Sequence, residues 1–264
     1  MHRVEHFYNT NVDAEWIRLD RHRTEFAVTL RVLAEFLLPP PATLLDVGGG
    51  PGRYAITLAQ QGYHVTLVDL AQQNLTLAGE QARMANVSLA GCVCANALDL
   101  SMFPDTTFDA VLLLGPLYHL LSASERQRAV QEALRVLNPA GILAVAFITR
   151  FAPFRTAARE NPLKLVQQRA HVEQMLRTGE DTTSSDFPHV YFAHPLEVQP
   201  FMELLGTQML SLVGCEGVIA GMEELVNALD GEAWETWVDW NYRLGQDAAL
   251  HGAADHLLYV GKKL

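Results

Sequence analysis

LLDVGGGPGRYA, residues 44–55, ends an apolar run in a glycine cluster. Two patterns overlap in it. Read from Gly50 it is G-x-G-x-x-A, the dinucleotide fingerprint, and Asp69 lies about the right distance on to contact a ribose. Read from Asp46 it is D-x-G-x-G-x-G. A glycine turn after a strand lets the backbone come close to a ligand and tolerates positive φ, which serves either reading. Asp46, two residues before the first glycine, separates them. A dinucleotide site must receive a pyrophosphate at the helix N-terminus, and a carboxylate beside it adds repulsion. A cofactor carrying positive charge suits an acid there.

Outward from this turn, short apolar runs alternate with helical patterns, the signature of βαβ units on a parallel sheet. The pattern predicts strands at 43–47, 64–68, roughly 87–94, 110–114 and 142–148. Helices are expected at 54–61 and 124–137, the second capped by Ser122 or Ser124 and ended by NPAG. Residues 150–194 break the rhythm with helical pieces and the polar loop TGEDTTSSD. They follow the fifth strand, at the carboxyl edge where open α/β sheets bind ligands, and read as a lid. A helix ending at Gly206, a strand at 209–213, the Trp-rich helix AWETWVDWNYRLG and a last strand, HLLYVGKK, complete the chain. The reading is α/β: a Rossmann-like, seven-stranded doubly wound sheet. Its divisions are an N-terminal helical cap (1–40), a cofactor-binding core (41–149), the lid (150–194), and residues 195–264, which complete the sheet around a helical insertion at about 218–253.

At 264 residues and 49% apolar, the chain can bury a full core. Its net charge is −11 with three lysines, so the electrostatic footprint for nucleic acid is absent. Residues 150–177 stand apart with 6 basic and 2 acidic side chains (+4), either a solvated helix face or a bias toward neutral and anionic acceptors. Cys92, Cys94 and Cys215 have no metal-ligand spacing and read as reduced, packed thiols; the histidines show no metal pattern either. Without a membrane-span-length apolar run or a signal-peptide core, the expectation is a cytoplasmic protein with no membrane partner. Trp234, Trp237 and Trp240 recur at i, i+3, i+6, a stripe that fits core packing or a homodimer surface.

The segments LLDVGGGPGRYA, VTLVD and NALDLSMFPDTTFDAVLLLGPLYHL resemble, in order, the motifs of the class I S-adenosylmethionine-dependent methyltransferases, particularly the bacterial small-molecule type. The resemblance covers residues 41–149 and extends to 195–214. It implies S-adenosyl-L-methionine as cofactor, with Gly48, Gly50 and Gly52 along its methionine part and Asp46 fixing the turn and the amino group. Asp69 would take both ribose hydroxyls and Leu70 would pack on adenine. Asn96 stands where many relatives have an acid that reads the adenine amino group; an amide oxygen can accept the same bond. Ala97 and Leu98 would complete the adenine pocket, and Leu114 and Gly115 would flank the sulfonium.

Methyl transfer needs alignment and water exclusion more than a dedicated base. Where the acceptor carries a proton, His119 and Tyr118 just past the fourth strand are the catalytic candidates. In the N-terminal cap, Arg18 is the candidate for the donor's carboxylate through two parallel bonds, beside Tyr8, Trp16 and His22. The function expected is methyl transfer to a small molecule. The competing readings are an NAD(P)-dependent oxidoreductase and a non-catalytic donor-binding protein.

Overall fold

The structure is a computed structural model that describes residues 2–183 and 188–264. Residues 184–187, part of the polar loop expected in the lid, lie outside the described residues.

Three helices, α1 (His2–Thr10), α2 (Val12–Arg21) and α3 (Arg23–Phe36), precede the sheet. The first half then runs β1 (Thr43–Val47), α4 (Arg53–Gln60), β2 (His64–Asp69), α5 (Gln72–Met84), β3 (Gly91–Cys94), β4 (Phe108–Leu113), α6 (Ala123–Val136) and β5 (Leu137–Ile148). The insertion follows as α7 (Ala152–Glu160), α8 (Leu163–Gln167), α9 (Arg169–Thr178) and a short ribbon of β6 (Glu180–Asp181) with β7 (Val190–Tyr191). Then come α10 (Pro195–Leu204), β8 (Thr207–Gly214), α11 (Glu224–Asn227), α12 (Gly231–Gly245) and β9 (His256–Lys263).

The main sheet has seven strands in the order β3-β2-β1-β4-β5-β9-β8, with β9 antiparallel to both neighbours. From β1 the chain adds strands first on one side and then on the other, so the crevice between the ends of β1 and β4 is the switch point where such sheets take ligands. Successive side chains of a strand point to opposite faces. Leu44 and Leu112 enter the core under α3, α4 and α12, while Leu45 and Leu113 enter the one under α6 and α10.

Helix and strand positions expected from periodicity agree within a few residues, with three differences. The third strand begins only at Gly91, where pairing with β2 starts at Thr66. NPAG belongs to β5, which starts at Leu137 opposite Phe108 and takes up the irregularity with Ala140 at φ 59°. The expected helical cap divides into three helices. Cys92 and Cys94 are exposed because β3 is the edge strand, which corrects the expectation of packed thiols; Cys215 is buried. Trp234 is buried whereas Trp237 and Trp240 are exposed, so only part of the tryptophan stripe faces the core. No described helix is long and apolar enough to cross a membrane.

Candidate active site

The turn after β1 is shaped by what it must avoid. Gly48 has φ 69°, and a Cβ there would stand 2.6 Å from Pro116 Cγ. A Cβ on Gly115 would stand 2.7 Å from the Gly48 carbonyl oxygen. The two loops at the switch point therefore nest backbone against backbone. Gly50 also has positive φ (58°), and its N–H donates to Asp69 Oδ2 at 2.8 Å. Asp69 Oδ1 accepts from Ala71 N (2.8 Å) and Asn74 Nδ2 (3.2 Å). Burial raises the Asp69 carboxyl against the pull of these donors. Gly52 caps α4 in the left-handed region and sits against Ala78 of α5.

Asp46 is fully buried beneath the turn, packed under Gly49, and neither of its oxygens meets a donor at hydrogen-bond geometry. Burial, then the nearby Asp69, pushes its carboxyl up to about 7. The Ala55 N–H pulls the carboxyl down without reaching full hydrogen-bond geometry, and a buried acid so weakly held fits a site completed by a positive charge.

A cleft of about 650 Å³ opens above the turn. Of the residues expected from sequence, Gly48, Gly50, Asp69, Leu70, Asn96, Ala97, Gly115, Tyr118 and His119 line it. Asp46 lies under it, Gly52 packs between helices, and Leu98 and Leu114 pack against the two cores, so none of these four lines the cleft. Asn96 Oδ1 already accepts from Leu98 N at 3.0 Å, which ties up part of the amide expected to read adenine. Tyr8, a cap residue singled out from sequence, lines the cleft as well, and Val4, Glu15 and Asn74 line it without having been assigned to it from sequence.

Beside it lies a second chamber of about 1720 Å³, roofed by α7, α8 and α9 and by residues near the β6–β7 ribbon. Tyr8, Glu15 and Tyr118 line both cavities. Arg18 lines the chamber and not the cleft. Its Nε bonds Glu15 (3.1 Å) and its two terminal nitrogens bond Glu25 (2.8 and 3.4 Å). The role expected for it, a carboxylate clamp on the donor, is corrected: that fork already grips Glu25. Glu25 in turn stands 3.7 Å from His256 Nδ1, which also bonds the buried Glu216. Burial alone would lower His256, but Glu25 and Glu216 overcome it and raise the imidazole to about 9. Burial alone would raise Glu25, but Arg18 and His256 hold it near 2. Glu25, Glu216 and His256 could by their spacing hold a metal ion. The guanidinium on Glu25 already supplies the positive charge.

His119 Nε2 meets the Tyr8 hydroxyl at 2.7 Å and its Nδ1 faces the His189 carbonyl at 3.3 Å. An Nδ1–H donating to that carbonyl leaves Nε2 to accept from Tyr8 O–H. Burial pushes His119 down to about 4, so at neutral pH the ring is uncharged and a weak base. Burial raises both Tyr8 and Tyr118, which keep their protons.

Two outcomes follow from this geometry. Asp69→Ala should lower affinity for the nucleoside cofactor by about 1–3 kcal/mol, with some loss of stability because Gly50, Ala71 and Asn74 lose their acceptor. Unchanged affinity by titration calorimetry removes Asp69 from the site. His256 is raised on folding, so its contribution to stability is whole below about 6.5, the ordinary imidazole value, and is lost as pH rises through about 9. Glu25 is lowered, so its contribution is whole above about 4.3 and is lost on acidification toward 2. Urea unfolding from pH 6.5 to 9.5 should show falling stability, and a smaller fall in His256→Gln. Equal slopes in the two proteins would remove His256 from the balance.

Residues 45–145 match the methyltransferase domain family. The chain is similar to the tRNA 5-carboxymethoxyuridine methyltransferase of Escherichia coli, 28% identical over 70% of this chain and 66% of that enzyme, so it spans slightly less than two thirds of that relative's length. It is also similar to the demethylmenaquinone methyltransferase of Renibacterium salmoninarum, 29% identical over 68% of each chain. A SAM-dependent methyltransferase from Methanosarcina mazei shares the fold at a TM-score of 0.59 and 19% identity, covering 88% of this chain and 97% of that one. The cleft carries the carboxylates Glu15 and Asp69 and no lysine or arginine among its described lining residues. That balance repels a pyrophosphate and suits a cationic cofactor. The nicotinamide reading therefore gives way: residues 45–145 match a methyltransferase domain, and the chain has the fold of a SAM-dependent methyltransferase.

Proposed function

We propose that the protein transfers the methyl group of S-adenosylmethionine to a small-molecule acceptor held in the second chamber. The observation that carries this reading is the shared wall: cleft and chamber meet at Tyr8, Glu15 and Tyr118, so a methyl group presented in one is exposed to the other. When bound, the cofactor supplies an activated methyl group with its own leaving group. The chain's part is to align and to exclude water. Asp69 and the Gly48–Gly50 backbone hold the ribose and methionine portions, and Leu70, Asn96 and Ala97 hold the adenine end. Gly115 leaves room at the end of β4. His119, uncharged and bonded to Tyr8, fixes that hydroxyl at the shared wall and is a positioning residue in this reading. Tyr118 stands at the same wall with its proton retained.

In the same reading, residues 1–40 are a cap, 41–149 the donor-binding core, 150–194 a lid over the acceptor, and 195–264 the completion of the sheet. The chamber's apolar wall of Leu165, Val172 and Met175 comes from that lid. Its +4 charge is reduced to +2 by two acids outside the segment, Glu197 and Asp255. Arg150 pairs with Glu197, Arg155 with Asp255, Arg159 with Glu160 and Arg169 with Glu173. The expected bias toward neutral and anionic acceptors is thereby weakened, and selection rests mainly on shape and contact. Three unpaired thiols, two of them exposed, suit a reducing, cytoplasmic setting.

The test is transfer of labelled methyl from S-adenosylmethionine to a panel of small phenols, acids and amines, with bulk tRNA as a separate arm. Label in a small molecule supports the proposal; label only in tRNA replaces it with the chemistry of the Escherichia coli relative. A chain of net charge −11 is poorly suited to phosphate backbones. Hydrogen exchange checks the lid: residues 150–183 and the N-terminal helices should gain protection with S-adenosylhomocysteine plus acceptor. Equal protection in free and bound protein would dismiss closure.

A further inference from the structure

Glu15, on α2, is the only acid among the described residues that lines both the cleft and the chamber. Its Cγ lies 3.6 Å from where a Cβ of Gly50 would stand, so the side chain rests against the glycine turn. Oε1 accepts from Arg18 Nε at 3.1 Å. The rest of that guanidinium goes to Glu25, so Arg18 serves two carboxylates with one charge. Burial pushes the Glu15 carboxyl up; Arg18 opposes it, and Glu25 and Asp69 add to it. The shared wall thus carries a carboxyl group with one oxygen on Arg18 Nε, burial favouring its neutral form and Arg18 its charged form.

The reacting carbon of a methyl transfer must lie between donor and acceptor, and the atom that carries it lies beside the same wall. We propose that Glu15 faces the sulfonium of the donor and makes the site select the cationic donor over its neutral product, a proposal that rests on reading the cleft as the donor site. In the transfer, the acceptor's electron pair forms the new bond to carbon. The carbon–sulfur pair stays on sulfur, which becomes a neutral thioether, and any proton on the attacking atom leaves to solvent. The positive charge beside Glu15 vanishes with the reaction. Attraction between unit charges a few ångströms apart in a partly buried site is large, so its disappearance loosens the product's hold and eases its exchange for fresh donor.

Titration calorimetry with S-adenosylmethionine, S-adenosylhomocysteine and 5′-methylthioadenosine tests this without turnover. The wild-type protein should bind the sulfonium donor about tenfold more tightly than the thioether product. Glu15→Gln should bring the two within about twofold, leaving the affinities for S-adenosylhomocysteine and methylthioadenosine nearly unchanged, which also shows that the cleft is intact. Glu15→Asp keeps the charge and should keep the preference. Equal weakening of donor and product in Glu15→Gln, or no weakening, would overturn the proposal, as would a wild-type protein without preference; the donor reading survives these outcomes. If none of the three nucleosides binds the wild-type protein, the donor reading falls and this proposal with it.

Discussion

Three backbone or side-chain N–H groups converge on one carboxylate, and the site's geometry hangs on that convergence. Asp69 ends β2, accepts from Gly50 on the turn after β1, and accepts from Ala71 and Asn74 at the start of α5. All three partners are donors, so an acceptor-only group is needed; an amide would turn an N–H toward one of them. This locks the glycine turn to the neighbouring strand while its outer face stays open to the cleft. The loop after β4 then nests on the turn because Gly48 and Gly115 carry no Cβ. The switch point of the sheet supplies the place, and the carboxylate fixes the backbone within it.

The second organising feature is a chain of charges that joins the two ends of the polypeptide. Glu15, Arg18 and Glu25 come from α2 and α3, Glu216 follows β8, and His256 opens β9. Buried charges of this kind are tolerated only when each has partners, and removing one member strands the others. The back wall of the chamber therefore forms only when the N-terminal cap has docked on the last strand. Arg23 reinforces the same contact by donating to the carbonyls of Asn227 and Leu229 and stacking on Trp234. Cap and sheet edge are one cooperative surface.

Most of the fold was legible because its signals are local. Strand runs, the closing Gly206, the glycine turn and Asp69 each announce themselves within a few residues. The cleft's floor was legible for the same reason: it is made of strand ends. The side-chain contacts that build its roof and its neighbouring chamber were not. Tyr8 and His119 meet across 111 positions, and Glu216 and His256 meet through antiparallel strands added last. Arg18 was read correctly as a guanidinium near the site and wrongly as free for a ligand, since only the packing of α2 on α3 brings Glu25 under it. Cys92 and Cys94 were misplaced because the sequence shows a strand without showing that it is the edge.

The same distinction bears on how the chamber recognises what it holds. Four acids line it, and each has a basic neighbour: Glu15 shares Arg18 with Glu25, Glu160 pairs with Arg159, Asp255 pairs with Arg155, and Asp181 lies 3.1 Å from His171 Nε2. Lys164, at the exposed rim, is the one lysine or arginine of the lining without an ion pair among the described residues. A wall so nearly balanced exerts little long-range pull, which is screened further by salt at its mouth. Contact then matters most: α7, α8, α9 and the residues joining them offer Leu165, Val172 and Met175 beside the polar Asn161, Gln168 and His171, and the other side offers Tyr8, Tyr118 and His256. Under the proposed function, an acceptor with an apolar body would set it against Leu165, Val172 and Met175 and bring its nucleophilic atom toward the hydroxyls of Tyr8 and Tyr118.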